Sequence, residues 1–413
     1  MLLAMIMLSS CVGPGSDGRQ AVGSVKLGAD LPLSGDDAQD GLPVEHAIDL
    51  AITQAGLVCG AASYRNQCVR LKAAPYDDVN KGIHDPARGA NNVQTLAADT
   101  AVIGMIGPLY DSLARSELPV ASAAHLAMVS PAVTDECLTQ EPPDGHCKGL
   151  AARLRAPGAN NFFRVVTTEL VEGTAGADLA FNRLGKRNAF IVNDQTALGQ
   201  SLARIFSERF TQDGGTVVDP SDLGAFDPNR TPDFNTRVDR AKELAADVVY
   251  YAGADIGSAA ALRRAMLARA LPVPLVGPHP LANSQFARLA GDSARGSYYT
   301  LVGPHPTSIR PAASFLRDYR RAYDQEASGV SLAAFDATNI VIRAIARAID
   351  DAGGRVPTRE QVLTEIGRTS GDSGAMGVMS FDAHGDTTLM LISTYQWLAA
   401  TQPSGDFVAQ LAG

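Results

Sequence analysis

Several chemistries are missing from this sequence. It has no C-x-x-C, no H-E-x-x-H, no G-x-S-x-G and no Walker-type phosphate loop, and its seven histidines are scattered without metal-ligand spacing. These absences remove the signatures of thiolate–zinc centres, zinc proteases, nucleophile-elbow hydrolases and P-loop enzymes, and no metal or cofactor is expected. Positive charge is in short supply. Against 44 Asp and Glu stand 35 Lys and Arg, a net charge of −9, which argues against nucleic acid or an anionic lipid surface as the main partner. Residues 2–8 (LLAMIML) are apolar but far short of the roughly 20 residues a spanning helix needs. No later segment reads as a span, so the chain beyond residue 23 is expected to lie outside the bilayer. There is no internal repeat and no low-complexity tract. What remains is ordinary globular composition, 46% hydrophobic and 19% charged, over 413 residues. That length is too great for one hydrophobic core, so two domains or lobes are expected.

Cysteine is sparse, at 11, 59, 68, 137 and 147. Cys59/Cys68 and Cys137/Cys147 are close pairs, which suits two local disulfides in an oxidising compartment. Four buried free thiols are the alternative, and spacing does not settle the connectivity. Cys11 ends the apolar N-terminal stretch. Leu8-Ser9-Ser10-Cys11 resembles the bacterial lipobox, which is cut before a cysteine that is then acylated. The resemblance implies a signal peptide over 1–10, a lipid anchor on Cys11 and a tether over 11–23. The basic residues that open such signals are missing, since no Lys or Arg precedes Arg19. A start upstream of Met1, or an ordinary signal peptide, is the competing reading.

Past residue 23 strand-like and helix-like runs alternate. Strands are expected at 24–33, 69–78, 101–108, 126–131, 161–166, 188–194, 247–253 and 274–279. Helices are expected at 41–56, 86–98, from 112, 172–185, 198–210, 233–245 and to about 271. This is βαβ repetition, so the fold class is α/β, with two doubly wound parallel-sheet lobes. In such sheets ligands sit beyond the carboxyl ends of the strands, which singles out the loops after 108, 131, 166, 194, 253 and 279. The longest amphipathic helix, 332–353, reads as core. Strands at 377–382 and 389–397 flank the turn AHGD.

Three motif matches carry no function. Gly13 to Gly18 fits G-x-G-x-x-G but follows no strand and opens no helix. Gly371-Asp372-Ser373-Gly374 echoes a serine-protease loop in a chain of the wrong fold class. Asn229-Arg230-Thr231 is a glycosylation sequon by pattern alone. No enzyme activity is expected.

The stretches LGADLPLSG with Gly41, YDD (76–78), VIGMIGPLYDS (102–112), LAMVSPAVTDECLT (126–139), FFRVVTTELVEGTAGADLA (162–180), AFDATN (334–339) and GVMSFDAHGD (377–386) occur in this order. Together they resemble the type I periplasmic binding proteins of the leucine/isoleucine/valine-binding kind, over nearly all of 24–400. The resemblance implies lobe 1 from 24–167 and 304–383, lobe 2 from 168–303 and 384–413, and three crossovers near 167, 303 and 383. It implies a monomer that captures a branched-chain or other amino acid, or a related carboxylate, between the lobes. The protein would pass it to the membrane permease of an ABC importer, touching the membrane only through its lipid. A sensory protein on the same fold, without transport, is the alternative.

The resemblance also places a site. Ser112, with Asp111 as the alternative one residue away, falls where the family's serine accepts the ligand carboxylate. Ala132, by its backbone, and Thr134, by its hydroxyl, match the second half of that clamp. Glu169 and Asp255 are candidates for the ammonium. Two positions depart from the family pattern. Leu198 stands where relatives have an aromatic ring, and His279 stands where amino-acid binders carry an acid. The carboxylate half of the site is therefore expected to follow the family more closely than the ammonium half.

Overall fold

The computed structural model describes residues 18–142, 145–156, 160–221, 223–227, 232–402 and 404–412. The signal segment, Cys11, the first glycine motif up to Asp17 and the Asn229 sequon lie outside them. Two sheets organise the chain. The first has six strands in the order Leu57–Cys59, Gln67–Asp77, Gln20–Leu31, Val102–Ile106, Met128–Ser130 and Phe162–Arg164. All run parallel except Leu57–Cys59, which is antiparallel to Gln67–Asp77. The second has seven, in the order Thr216–Val217, Asn188–Asn193, Val248–Ala252, Leu275–Gly277, Ser297–Val302, Leu391–Gln396 and Asp406–Ala412. Its first five are parallel and its last two antiparallel.

Central strands such as Val102–Ile106 and Val248–Ala252 are buried along their whole length, as parallel strands covered on both faces must be. On one face of the first sheet Val44 and Ile48 of the helix Ala38–Ala55 pack with Ile340 and Ile345 of the helix Gly329–Asp351. On the other face Val93, Leu96 and Leu118 cover Met105 and Met128. The helix Pro86–Ala98 begins where the sequence places it. The Asp85 side chain accepts from the amides of Ala87 and Arg88, and Pro86 sits at the first position, where no N–H is missed.

Gly329–Asp351 is long and apolar enough to cross a membrane by length and composition, which corrects the expectation that no segment beyond the signal is. Most of it is buried, with Ile340, Val341, Ala344 and Ile345 in the core beneath the first sheet. The two C-terminal strands lie within the expected segments but are shorter. Val378–Met379 pairs with Asp372–Ser373, and Leu391–Gln396 joins the second sheet beside Ser297–Val302. Only a bridge between Phe381 and Thr387 closes the turn between them. The expected helix at 172–185 begins at Glu169 and ends in a π turn over Leu179–Arg183. Both cysteine pairs form disulfides, Cys59–Cys68 and Cys137–Cys147. The first staples an antiparallel strand pair, and the second closes the loop that leaves Thr134.

Candidate functional site

Loops from the two sheets face one another where Asp111, Thr134, Glu169 and His279 lie. The loop after Val102–Ile106 ends at Tyr110, and Asp111 opens the helix Asp111–Ala123. The Asp111 carboxylate accepts from the amides of Thr134 and Asp135, at 3.0 and 3.1 Å. Burial and the nearby charge of Asp135 push its pKa up, while the Asp135 amide and His279 pull the other way. Ser112 is exposed, so the carboxyl one residue earlier is the group that reaches this loop.

Ser130 stiffens the loop. Its hydroxyl donates to the Pro108 carbonyl at 2.8 Å and accepts from the amides of Ala132 and Val133. This takes up the Ala132 N–H, one of the backbone groups expected to face a ligand. Thr134 is held from both sides, with its amide on Asp111 and its carbonyl accepting from the Glu169 amide at 3.0 Å. Its side chain is 1% exposed, and its hydroxyl makes no hydrogen bond among the described residues. Glu169 opens the helix Glu169–Asp178 and is 3% exposed. Burial, and then the charges of Asp135 and Asp111, raise its carboxyl well above the ordinary range, with the Ser201 hydroxyl alongside easing it. Arg115 donates through Nε to Asp135 at 3.0 Å.

From the second sheet comes His279, just past Leu275–Gly277. Glu172, one turn beyond Glu169 and fully buried, accepts the His279 amide at 2.8 Å, sits 2.9 Å from its Nδ1 and accepts the Thr300 hydroxyl at 2.9 Å. Burial opposes the charged imidazole. The carboxylate of Glu172, and behind it the charges of Asp111 and Asp40, outweigh burial and raise its pKa. The ring is 31% exposed. His279 thus carries its own acid, Glu172. On the first sheet's side the Tyr110 hydroxyl donates to Asp40 at 2.9 Å, and its ring stacks on His84, which pairs with Asp37 at 2.8 Å.

Sequence reasoning missed Asp40, Tyr110, His84 and Glu172. Glu172 had a signal, since it lies three residues after Glu169 on one helix face. Asp40 and Tyr110 sit at helix starts and His84 in the short strand Ile83–His84, and only the fold brings them together.

Two expected residues serve local structure. Asp255 is exposed and caps the helix Ile256–Ala268 by accepting the Ser258 amide at 2.6 Å. Leu198 packs against the core beneath the second sheet. Beside it Gly199 is required by a close approach, because a Cβ there would lie 2.3 Å from Asp194 Oδ1. Asp194 in turn accepts from the amides of Thr196, Ala254 and Asp255 and so ties the loops after two adjacent strands. Among the described residues Cys137, His146 and Cys147 lie close enough to hold a metal ion. Both sulfurs are bound to each other as a disulfide, so neither is the thiolate a metal needs.

Two α/β sheets with facing strand-end loops, rigid backbone on one side and buried polar groups between, define a two-lobed ligand-binding protein. The chain belongs to a family described as periplasmic binding protein, whose model matches residues 24–401. A leucine-, isoleucine-, valine-, threonine- and alanine-binding protein of Pseudomonas aeruginosa is 24% identical over 381 residues, 91% of each chain. A Leu/Ile/Val-binding protein of Escherichia coli is 23% identical over 95% of this chain and 96% of its own. The solved leucine-binding protein of Thermotoga maritima superposes with a TM-score of 0.73 at 21% identity, covering 94% of this chain and 99% of that one. A solute-binding protein of an ABC transporter from R. palustris, solved with benzoate, gives 0.68 at 19% identity, covering 94% and 96%.

Proposed function

We propose that this protein is an extracytoplasmic solute receptor of an ABC importer. It takes a small molecule, an amino acid or a close chemical relative, into the cleft between lobe 1 (24–167 and 304–383) and lobe 2 (168–303 and 384–413). Hinge closure follows, and the ligand passes to a membrane permease. The observation that carries this reading is the convergence on one space of Asp111 and Thr134 from the first sheet and the His279–Glu172 pair from the second. The names of the relatives supply the ligand class. The protein acts as a monomer held at the membrane by acyl groups on Cys11. The reading is binding without turnover.

Uptake tests this reading. Cells lacking the protein should lose most high-affinity uptake of its ligand, and cells carrying Cys11→Ser should release the protein from the membrane fraction and no longer incorporate labelled palmitate into it. Unchanged uptake in the deletion strain would exclude the importer role. Unchanged labelling of Cys11→Ser would exclude the anchor.

A further inference from the structure

The clamp expected to hold a ligand carboxylate is already filled from within the chain. Asp111 places its own carboxylate on the amides of Thr134 and Asp135. These are the strongest anion donors of that loop, since the amides of Ala132 and Val133 are taken by Ser130. Around the filled clamp the charge is negative. Asp135 is neutralised by Arg115, and Glu172 is paired with His279. Asp111 and Glu169 meet no cation within bonding distance among the described residues. Among the described residues Asp40 has one side-chain hydrogen bond, from the neutral Tyr110 hydroxyl, with His84 and His279 farther off.

Two polar groups on almost fully buried residues come together here, the first without a hydrogen bond among the described residues and the second with only the Ser201 hydroxyl beside it and no counter-charge. One is the Thr134 hydroxyl itself. The other is the Glu169 carboxylate, whose amide holds the Thr134 carbonyl. A buried carboxylate without a counter-charge is costly, and a bound cation removes that cost. A second carboxylate arriving from a ligand would compete with Asp111 for the same two amides and would be repelled by Glu169.

We propose, building on the receptor reading above, that the cleft seats its ligand by a cationic head, an ammonium or guanidinium group, among Asp111, Glu169 and the Thr134 hydroxyl, and does not need an α-carboxylate. Asp111 takes the place the ligand's carboxylate would otherwise occupy. The substrate class is therefore amines and amino compounds whose carboxyl is absent, amidated or remote from the cationic centre.

Matched ligands decide this. The full chain is titrated calorimetrically with leucine, phenylalanine and arginine. It is then titrated with their decarboxylated counterparts (3-methylbutylamine, phenethylamine, agmatine) and with 4-methylpentanoate and 3-phenylpropanoate, which lack the ammonium. At least one amine should bind ten times more tightly than its amino acid, and neither carboxylate should bind. Asp111→Ser should empty the clamp, weakening that amine at least tenfold and strengthening the matching amino acid. Asp111→Asn keeps an oxygen on the two amides and removes the charge. It should weaken the amine without strengthening the amino acid, which separates lost charge from a damaged loop. If the amino acids bind in preference to every amine, or if Asp111→Ser leaves the preference unchanged, the cationic-head inference is overturned while the receptor reading stands. If no compound in the panel binds, both are overturned.

Discussion

Arg164→Met should lower stability by about 3–5 kcal/mol, the range for breaking a buried ion pair from one side. Arg164 ends the strand Phe162–Arg164 and is 0% exposed. Its Nε donates to Asp386 at 2.6 Å, Nη1 donates to the carbonyls of Asp135 at 2.9 Å and Val133 at 3.4 Å, and Nη2 donates to the Thr139 hydroxyl. One guanidinium therefore joins the edge of the first sheet, the loop that carries Thr134 and the segment leading to Leu391–Gln396. Methionine would fill the stem's volume but leave Asp386, 7% exposed, without its cation and the Val133 carbonyl without its guanidinium donor, while the Asp135 carbonyl would keep only the Leu138 amide. The double variant Arg164→Met/Asp386→Leu should recover much of the loss, because the expense lies in the stranded partner more than in the pair's net attraction. Urea unfolding checks both. A single variant within 1 kcal/mol (roughly the median worth of an exposed pair) would show that the guanidinium is solvated. Ligand affinity should fall with stability, since the carbonyls on either side of Thr134 lose their anchor.

Stability should also decline as pH rises from about 4 to about 8, and Asp78→Asn should flatten that decline. Asp30, Asp78 and Glu117 are fully buried together beneath the first sheet, and oxygens of all three lack a hydrogen-bond donor. Asp30 and Glu117 meet at Gly89, where a Cβ would come within 2.6 Å of Glu117 Oε1 and 2.9 Å of Asp30 Oδ2. Asn92 reaches Asp30 at 2.7 Å, and Arg88 lies near enough only to ease Asp30 and Asp78. Burial, then the charges of Asp30 and Asp77, push Asp78 up to about 8. Burial, eased by Glu117 and Asn92, leaves Asp30 at about 6. Burial and Asp30 raise Glu117 well above its ordinary value.

In the unfolded chain these carboxyls release their protons near pH 4. Between pH 4 and the raised values the folded state holds more protons than the unfolded state. The contribution is therefore full below about pH 4 and is lost as pH rises, by up to about 1.4 kcal/mol per pH unit for each group. Asp78→Asn removes one of these raised carboxyls, so at pH 8 the variant should be more stable than the parent by about 2–4 kcal/mol. Unfolding midpoints measured from pH 4.5 to 8.5 in both proteins test this. Parallel curves would contradict it.

The sheets were legible wherever a run of buried residues met a clear start signal. Asp85-Pro86 announced its helix, and the apolar run at 102–106 announced a central strand. Ser297–Val302 was missed because it is short and mixes Ser297 and Thr300 with tyrosines. Asp406–Ala412 was missed because an edge strand needs no continuous apolar face. The strands within 377–382 and 389–397 were legible, but local pattern does not show which partner each takes. In the site, one residue of register at a helix start decided between Ser112 and Asp111, and periodicity cannot resolve a single residue. Glu172 meets His279 across 107 positions, a pairing that only the fold supplies.

The most direct test of the account is hydrogen exchange across the full chain, with and without the tightest ligand from the matched panel. A receptor that closes on its ligand between the lobes predicts slowed exchange in segments from both sheets at once: 109–113 and 132–136 on one side, 169–173 and 278–281 on the other. Protection confined to one of those sides, or spread over surfaces outside the cleft, would contradict it.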